Sequence, residues 1–540
     1  MNAYDPVGTK VFETEVLIIG GGVTGTGMMR DLALRGVNCL LIDQKDLNAG
    51  ASGGNHGLLH SGGRYAATDW QTAAECRVEA QILKNTAQDC IDECGGIFAA
   101  VEGDDPDFAA CFPDRCAKAG IPCHSLSPAE ARAREPSLSD KVFAAFAVED
   151  ATIDPFHITL GNVNHAQKLT DSVYCPHTEA VDFEVASGTI TSVLCRDNRT
   201  GDSVRIRAKQ VVNAAGAWAM NVARLAGCTD VAVLYAKGTL IISNARMSNG
   251  VINRLRVPGD GDILVPGGTV SLLGTSSDNI ASPDDVRPTI NEVDRILREG
   301  IGLVPSLEHT RFIRAFSGVR PLLQTPGTDV DGRKASRGFR LFDHEDQGLS
   351  NFASLVGGKL TTYRLMAEKT GDLVARRLGN EAPCTTATAL LPTGEADRWT
   401  KPGFAPRYWY KRNDPTDAIL CECEMVPQSA VNEIAADAVG AEKNMTLRAI
   451  ALRSRIGKGS CQGSFCAARV TSHLYERDVY ECGEGRDHMR DFVSERFKGV
   501  RPVVWGKQMP QMELAEALHC GLMGLDLQDV GNNENGDGTA

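Results

Sequence analysis

The stretch EVLIIGGGVTGTG, residues 15–27, decides the fold of this 540-residue chain. Residues 15–19 form a short apolar run, which is typical of a buried parallel strand, and glycines follow it directly. The pattern then predicts a helix over 23–35 and a second apolar strand over 39–42. Together these segments predict a βαβ unit over 13–45, which is half of a nucleotide-binding fold.

The turn of this unit has the chemistry of a dinucleotide site. Gly20, Gly22 and Gly25 fit G-x-G-x-x-G, in which the glycines allow a tight turn, close approach of a pyrophosphate and close helix–strand packing. Asp43 follows the second strand, where a carboxylate can accept hydrogen bonds from ribose hydroxyls and disfavours the 2′-phosphate of NADP. The turn alone leaves NAD and FAD open, and a glycine-rich turn that binds nothing is the alternative.

Composition limits the class of protein. The net charge of −13 argues against general affinity for nucleic acid, and 42% hydrophobic with 23% charged residues is typical of a globular chain. No apolar run approaches the ~20 residues that span a bilayer, and no secretory signal begins the sequence. The 17 cysteines then indicate a reducing compartment. We expect a soluble intracellular protein of roughly three domains.

Three further motifs identify a family. They are HGLLHSGGRY at 56–65, SGVRPL at 317–322 and GGKLTTYR at 357–364. With the N-terminal glycine turn, they resemble the FAD-dependent glycerol-3-phosphate dehydrogenases, and among these the A-type chains of the anaerobic enzymes. The resemblance extends from residue 13 to about 525 and includes ERFKGVRPVVWG at 495–506.

The resemblance implies an α/β chain (α+β overall) that binds FAD. Its Rossmann-like FAD-binding domain of the D-amino-acid oxidase type would be interleaved with a β-sheet substrate domain, and a small C-terminal iron–sulfur domain would follow. Helix dipoles and backbone N–H groups would stabilise the pyrophosphate and the reduced flavin. The positions that the resemblance assigns to FAD are Gly20, Gly22, Gly25, Asp43, Ser52, Gly53, Gly216, Gly357, Gly358, Leu360 and Thr361.

The same motifs supply a pocket for an anionic substrate. Arginine is favoured for phosphate because its planar fork binds two oxygens at once. By resemblance the pocket takes sn-glycerol 3-phosphate and passes a hydride from C2 to flavin N5. The base stays open between His56 and His60, and another 2-hydroxy or amino acid is the alternative substrate. The expected catalytic residues are Arg320, Lys359, Arg64, Tyr65 and His60.

Two cysteine pairs lie near the C-terminus. Cys421 and Cys423 form C-x-C, and Cys461 and Cys466 form C-x4-C. Four thiolates from two turns suit one metal centre, and the arrangement resembles the BFD-like [2Fe–2S] domain. A structural zinc site is the alternative. A purely electron-carrying, non-enzymatic chain is disfavoured, because a carrier needs no anion pocket.

The domains expected are residues 1–391 for FAD and substrate, a linker at 392–416, the BFD-like domain at 417–480, and a helical extension with a tail at 481–540. The resemblance implies that electrons pass from FAD through the [2Fe–2S] cluster to B- and C-type partner subunits and a quinone. It also implies a cytoplasmic protein on the inner face of the cell membrane, held there peripherally. No nucleic-acid partner is expected.

Overall fold

A computed structural model of the chain describes residues 3–4, 9–284, 286–324, 332, 335, 337–392, 396–437, 445–525 and 527. The predicted tail at 531–540 lies outside these residues. The strands, in chain order, are β1 (Ala3–Tyr4), β2 (Lys10–Ile19), β3 (Cys39–Ile42), β4 (Leu58–Leu59), β5 (Ile91–Asp92), β6 (Gly96–Val101), β7 (Cys123–Leu126), β8 (Val142–Val148), β9 (Ala151–Ile153), β10 (Val173–Cys175), β11 (Thr178–Ala186), β12 (Thr189–Asp197), β13 (Ser203–Asn213), β14 (Val233–Ser243), β15 (Val251–Arg254), β16 (Ile263–Gly267), β17 (Val270–Gly274), β18 (Asp278–Asn279), β19 (Phe312–Leu323), β20 (Phe339–Asp343), β21 (Phe352–Gly357), β22 (Ile419–Cys421) and β23 (Val426–Pro427).

The α-helices pack on the sheets or form the C-terminal region. In chain order they are α1 (Val23–Leu34), α2 (Trp70–Thr86), α3 (Pro106–Ala110), α4 (Phe112–Lys118), α5 (Pro128–Arg134), α6 (Pro155–Leu169), α7 (Ala219–Leu225), α8 (Ile290–Leu303), α9 (Tyr363–Arg377), α10 (Phe404–Arg412), α11 (Gln428–Asp437), α12 (Leu447–Leu452), α13 (Cys466–Glu476), α14 (Glu484–Val500) and α15 (Gln508–Ala517).

The first sheet carries the predicted βαβ unit. Strands β10, β3, β2, β13 and β21 are parallel neighbours, and β20 adds an antiparallel edge. Ile19 at the end of β2 pairs with Ile42 of β3 and with Asn213 of β13. The carboxyl ends of these strands therefore meet at one edge, which is where ligands bind in open α/β sheets. Helices α1, α6 and α9 pack together on one face of this sheet.

The second sheet faces the carboxyl edge of the first. It runs in the order β18–β14–β17–β16–β15–β6–β8–β7, and the long strand β19 pairs with β14. Its strands come from two separate parts of the chain, 96–148 and 233–323, with strands of the first sheet before, between and after them. The expected interleaving of a Rossmann-like part with a substrate sheet is therefore confirmed.

The C-terminal region has its own apolar core and docks on both sheets. Trp399, Val431 and Phe492 are buried in that core. Gly499 of α14 packs on β19, where an added Cβ would lie 2.1 Å from the carbonyl oxygen of Ala315. An ion pair of 3.0 Å joins Arg453 Nη1 to Asp46 Oδ2 beside the nucleotide turn.

Two segments differ from the sequence-based expectation. The sequence predicts a helix from about 70 to 94, but α2 ends at Thr86, because Ala87 adopts an extended φ of −133°. The expected linker at 392–416 contributes a short 3₁₀-helix, Ala396–Thr400, and α10. Trp399 and Ala405 within it are buried in the C-terminal core, so prolines there mark the starts and ends of packed helices.

Candidate active site

A cavity of about 1150 Å³ lies between the carboxyl edge of the first sheet and the second sheet. Its walls contain most of the residues that the sequence assigns to FAD. Gly25 and Thr361 lie behind the wall, and Gly53 lines a neighbouring cavity instead. The predicted cofactor positions on the wall are Gly20, Gly22, Asp43, Ser52, Gly216, Gly357, Gly358 and Leu360.

The nucleotide end of the cavity is built around the glycine turn. Gly20 has a φ of +121°, and a Cβ there would lie 2.4 Å from the carbonyl oxygen of Ala214. Gly22 caps the N-terminus of α1, and the Val23 N–H donates a hydrogen bond of 3.0 Å to Ser52 Oγ. A Cβ on Gly25 would lie 2.0 Å from the Gly20 carbonyl oxygen, so Gly25 permits the close packing of helix and turn. The turn is therefore shaped to admit a pyrophosphate at the helix N-terminus.

Asp43 holds the same turn from the neighbouring strand. Its carboxylate accepts hydrogen bonds of 2.7 Å from the backbone N–H groups of Gly21 and Lys45. Burial raises the pKa of Asp43 to about 6, although these two hydrogen bonds oppose the shift. A ribose hydroxyl that donates to this carboxylate would stabilise its charged form.

The flavin end is formed where β21 meets α9. Gly357 and Gly358 have φ values of +89° and +80°, and an added Cβ on Gly358 would lie 2.2 Å from Met366 Sδ. Thr361 is fully buried, and its Oγ1 accepts a hydrogen bond of 3.2 Å from the His60 N–H. The two glycines make a cradle that side chains would fill, which fits the edge of a flavin ring.

The predicted catalytic residues converge beyond the flavin end. His60, Arg64, Tyr65, Arg320 and Lys359 all line the cavity. Lys359 Nζ lies 4.9 Å from the centre of the Tyr65 ring, and Tyr65 Oη lies 3.4 Å from His60 Nε2. Residues that are far apart in the sequence therefore share one pocket.

The pocket carries excess positive charge. Arg64 pairs with Asp262 at 2.6 Å, whereas Arg320 donates to the Thr275 hydroxyl at 2.6 Å and to the Ser276 carbonyl. Among the described residues, Arg320 forms no ion pair. Burial, followed by the positive charge of Arg337, lowers the pKa of Arg320 to about 10. Uncompensated cations in a cavity favour an anionic ligand.

Arg337 is a pocket residue that the sequence analysis missed. It lines the cavity, and the carbonyl oxygen of Arg337 accepts a hydrogen bond of 2.9 Å from Lys359 Nζ. The local sequence RKASRGFR, 333–340, is basic but matches none of the family motifs. Only its approach to Lys359 in space marks it as part of the site.

Neutral histidines complete the pocket. Burial, followed by the charges of Arg320 and Arg64, lowers the pKa of His56 to about 3. Burial, with His56 and Lys359 nearby, holds the pKa of His60 well below its usual range. Burial also raises the pKa of Tyr65 to about 12. At neutral pH the histidines can accept a proton, and Tyr65 keeps its own.

The four predicted metal-ligating cysteines lie together in the C-terminal region. Hydrogen bonds link the thiol of Cys421 to that of Cys466, Cys466 to Cys461, and Cys461 to Cys423. The backbone N–H groups of Phe465 and Gly463 also contact Cys461, and Ser460 Oγ lies 3.9 Å from Cys423 Sγ. Within the described part of the chain, however, no three or more His, Cys, Asp or Glu side chains are already arranged to hold a metal ion. Four adjacent thiols with N–H donors fit the chemistry of a cluster site.

Comparison with known proteins agrees with this geometry. Residues 15–373 match the model of the FAD dependent oxidoreductase (DAO) family. The chain is 39% identical to the A chain type of the anaerobic glycerol-3-phosphate dehydrogenase of Escherichia coli K12, over 95% of this chain and 97% of that protein. It is 36% identical to the A1 chain type of the Haloferax volcanii enzyme of the same name, over 95% and 91% of the two chains.

A solved structure has the same fold. The glycerol-3-phosphate dehydrogenase of Bacillus halodurans, complexed with FAD, aligns with a TM-score of 0.63 at 19% identity, covering 92% of this chain and 97% of that one. The fold and the FAD cofactor expected from the sequence are confirmed. The chain therefore belongs to the FAD-dependent oxidoreductases and, within them, to the A-type chains of the anaerobic glycerol-3-phosphate dehydrogenases.

Proposed function

We propose that this enzyme oxidises sn-glycerol 3-phosphate to dihydroxyacetone phosphate. The observation that carries the proposal is the convergence of Arg64, Arg320, Arg337 and Lys359 at the flavin end of one cavity. The related proteins of Escherichia coli and Haloferax volcanii are named as glycerol-3-phosphate dehydrogenases, which supports the same substrate. FAD, when bound, supplies a hydride acceptor for C2.

The phosphate is assigned to Arg320, with Arg337 and Lys359 beside it. Arg320 is oriented by neutral oxygens of Thr275 and Ser276, so its charge stays available to a ligand. Arg64 is already paired with Asp262 and adds less net charge. Charge-assisted hydrogen bonds from arginine to phosphate are among the stronger contacts in proteins.

His60 is assigned as the acceptor of the proton from the C2 hydroxyl. Its low pKa keeps the ring neutral, and with the proton on Nδ1 the Nε2 atom is an acceptor. Tyr65 Oη lies 3.4 Å from that Nε2 and stays protonated, so it can orient either the ring or the substrate hydroxyl. Lys359, above the Tyr65 ring, adds a positive charge that stabilises a developing alkoxide.

The cysteine site is proposed to hold a [2Fe–2S] cluster through Cys421, Cys423, Cys461 and Cys466. The cluster, when bound, supplies one-electron transfer away from the flavin. Hydrogen bonds from backbone N–H groups to Cys461 suit a thiolate ligand of iron. Zinc is the competing occupant, and metal analysis distinguishes the two.

Onward transfer is proposed to B- and C-type partner subunits and then to a quinone. The relatives are named as one subunit of their enzymes, which supports an assembly of several chains. The proposal places this chain in the cytoplasm, peripherally on the inner face of the cell membrane. None of the described helices is long and apolar enough to cross a membrane.

The proposed division of labour follows the expected domains. Residues 1–391 hold FAD and substrate, 417–480 hold the cluster, and 481–540 form a helical extension. The buried Trp399 supports treating the 392–416 segment as part of the C-terminal packing, since it belongs to that core.

Flavin reduction by a substrate panel tests the proposal. Anaerobic holoenzyme should lose its oxidised-flavin absorbance with sn-glycerol 3-phosphate and keep it with glycerol, lactate, glycine or proline. Bleaching by an uncharged or amino-acid substrate at a comparable rate would assign the fold to another 2-hydroxy or amino acid. No bleaching by any of them would contradict the dehydrogenase proposal.

A further inference from the structure

A second cavity of about 1250 Å³ lies between the FAD-binding turn and the C-terminal region. Segment 45–57 separates it from the active-site cavity, and Gly50, Asn55 and His56 line both. The opposite walls come from β19, α12 and α14, and from Gln462 next to the cysteine site. The cavity is a concave space between two parts of the protein, which suits a small molecule.

Five cations line this cavity, and we call them the interface cations: Arg314, Arg448, Lys458, Arg496 and Lys498. Glu495 lies among them, 3.4 Å from Lys498 Nζ and 3.9 Å from Arg314 Nη2. Burial raises the pKa of Glu495, but the charges of Arg448, Lys498 and Arg314 outweigh this and lower its pKa overall. One carboxylate therefore faces several positive charges.

The other acids of this cavity have partners of their own. Asp46 pairs with Arg453, Asp89 with Lys401, Asp92 with Arg246 and Asp491 with Arg490, Asp154 accepts the first N–H groups of α6, and Glu484 accepts the Glu481 N–H. The excess positive charge of the interface cations thus remains.

The interface cations are also short of hydrogen-bond acceptors. In the described part of the chain, the side chains of Arg448, Lys458 and Arg496 form no hydrogen bond or ion pair, and Arg314 Nε is buried without an acceptor. Lys458 Nζ lies 4.5 Å from the Phe156 ring centre. Burial, reinforced by neighbouring cations, lowers the pKa of Arg496 to about 9 and that of Lys458 to about 7. Assembling like charges in this way is unfavourable without an anion.

We propose that the interface cations bind a phosphate group, either free or as part of a phosphorylated small molecule, at a site separate from the substrate pocket. Three arginines supply planar donor forks, which match phosphate oxygens in pairs. The site joins β19 to α12 and α14, so an occupied site would strengthen the docking of the C-terminal region. The inference does not depend on the identity of the substrate or of the metal.

Inorganic phosphate is the first probe, added to full-length holoenzyme by calorimetric titration at constant ionic strength. Arg448→Gln, at an exposed position, and Arg496→Gln should each weaken phosphate binding at least 10-fold and leave substrate-driven flavin bleaching unchanged. Arg490→Gln, on the same helix but paired with aspartates, is the matched control and should bind like wild type. In Arg320→Leu protein the site should persist, which separates it from the substrate pocket.

Adenosine monophosphate and ribose 5-phosphate distinguish the sources of the phosphate. A Kd at least 10-fold below that of inorganic phosphate, again lost in Arg448→Gln, identifies a phosphorylated small molecule as the ligand. Equal Kd values identify free phosphate. Unchanged binding in both cavity variants, or loss of all binding in Arg320→Leu, would overturn the proposal. So would binding of an acidic peptide in the absence of phosphate binding, since that identifies a protein-docking surface.

Discussion

The guanidinium of Arg320 is held by the hydroxyl of Thr275, with 2.6 Å between Arg320 Nη2 and Thr275 Oγ1. A hydroxyl orients the side chain without neutralising its charge, whereas an aspartate at this position would do both. The pocket thereby keeps a positioned positive charge, which is what selective binding of a phosphate ester requires.

Replacing Arg320 tests that charge directly. Arg320→Leu should lower kcat/KM for sn-glycerol 3-phosphate by about 10- to 100-fold or more, because a charge-assisted hydrogen bond is worth about 1.5–3 kcal/mol. Flavin content should stay at the wild-type level. Arg298→Leu, at an exposed position of α8, is the control. Equal loss of activity toward an uncharged alcohol would contradict the role in phosphate binding.

Asp43 is predicted to retain the cofactor. Asp43→Ala removes a carboxylate that holds the Gly21 N–H and that is assigned to the ribose, so FAD affinity should fall by about 10- to 100-fold. Flavin released on dialysis, measured by fluorescence, checks this. Asp171→Ala, at an exposed position, should release none. Full flavin retention in Asp43→Ala would remove this residue from the cofactor site.

His60 is predicted to be the proton acceptor. His60→Asn should lower the rate of flavin reduction by about 10²–10⁴-fold, the usual contribution of general base catalysis. Substrate affinity should change little, since the phosphate is bound elsewhere in the pocket. Stopped-flow bleaching under anaerobic conditions measures both. A rate within about twofold of wild type would transfer the role to another group, with His56 the next to test.

The buried histidines also predict acid sensitivity. The pKa of His56 is lowered to about 3 in the folded state, against about 6.5 in the unfolded chain. The unfolded state therefore binds an extra proton as the pH falls below about 6.5, and the free energy of unfolding falls by about 2 kcal/mol from this group near pH 5. Urea unfolding of His56→Asn should show a correspondingly shallower loss between about pH 7 and pH 5. The same slope in both proteins would mean that His56 is protonated when folded.

Cys461→Ser should separate the two redox steps. Substrate should still bleach the flavin, because the substrate pocket contains no residue of the cysteine region. Electron delivery to a quinone should fall sharply, and a small dye that takes electrons from the flavin should restore turnover. Cys482→Ser, at an exposed cysteine outside the site, is the control. One zinc and no iron in anaerobically prepared wild-type protein would contradict the electron-relay proposal.

The sequence predicted the nucleotide half of the fold well, since local rules govern it. An apolar strand, a glycine turn and a helix follow one another directly along the chain, so their pattern is visible in one stretch. Arg64, Arg320 and Lys359 were predicted because they stand within motifs. Arg337 was missed because its role comes from packing against Lys359, which no local pattern encodes. Trp399 was missed for the opposite reason: the prolines around it suggested a linker, whereas the indole is buried.

The contact of Gly499 with the backbone of Ala315 has a consequence for protein engineering. Because even a methyl group at 499 would collide with β19, the C-terminal region is fitted to this flavoprotein and is not a portable cassette. A chimera that receives the corresponding region from another protein needs a glycine at this position and an arginine to meet Asp46. A chain cut at residue 391 would expose the β19 surface to solvent, and its purification would require a substitute that covers it.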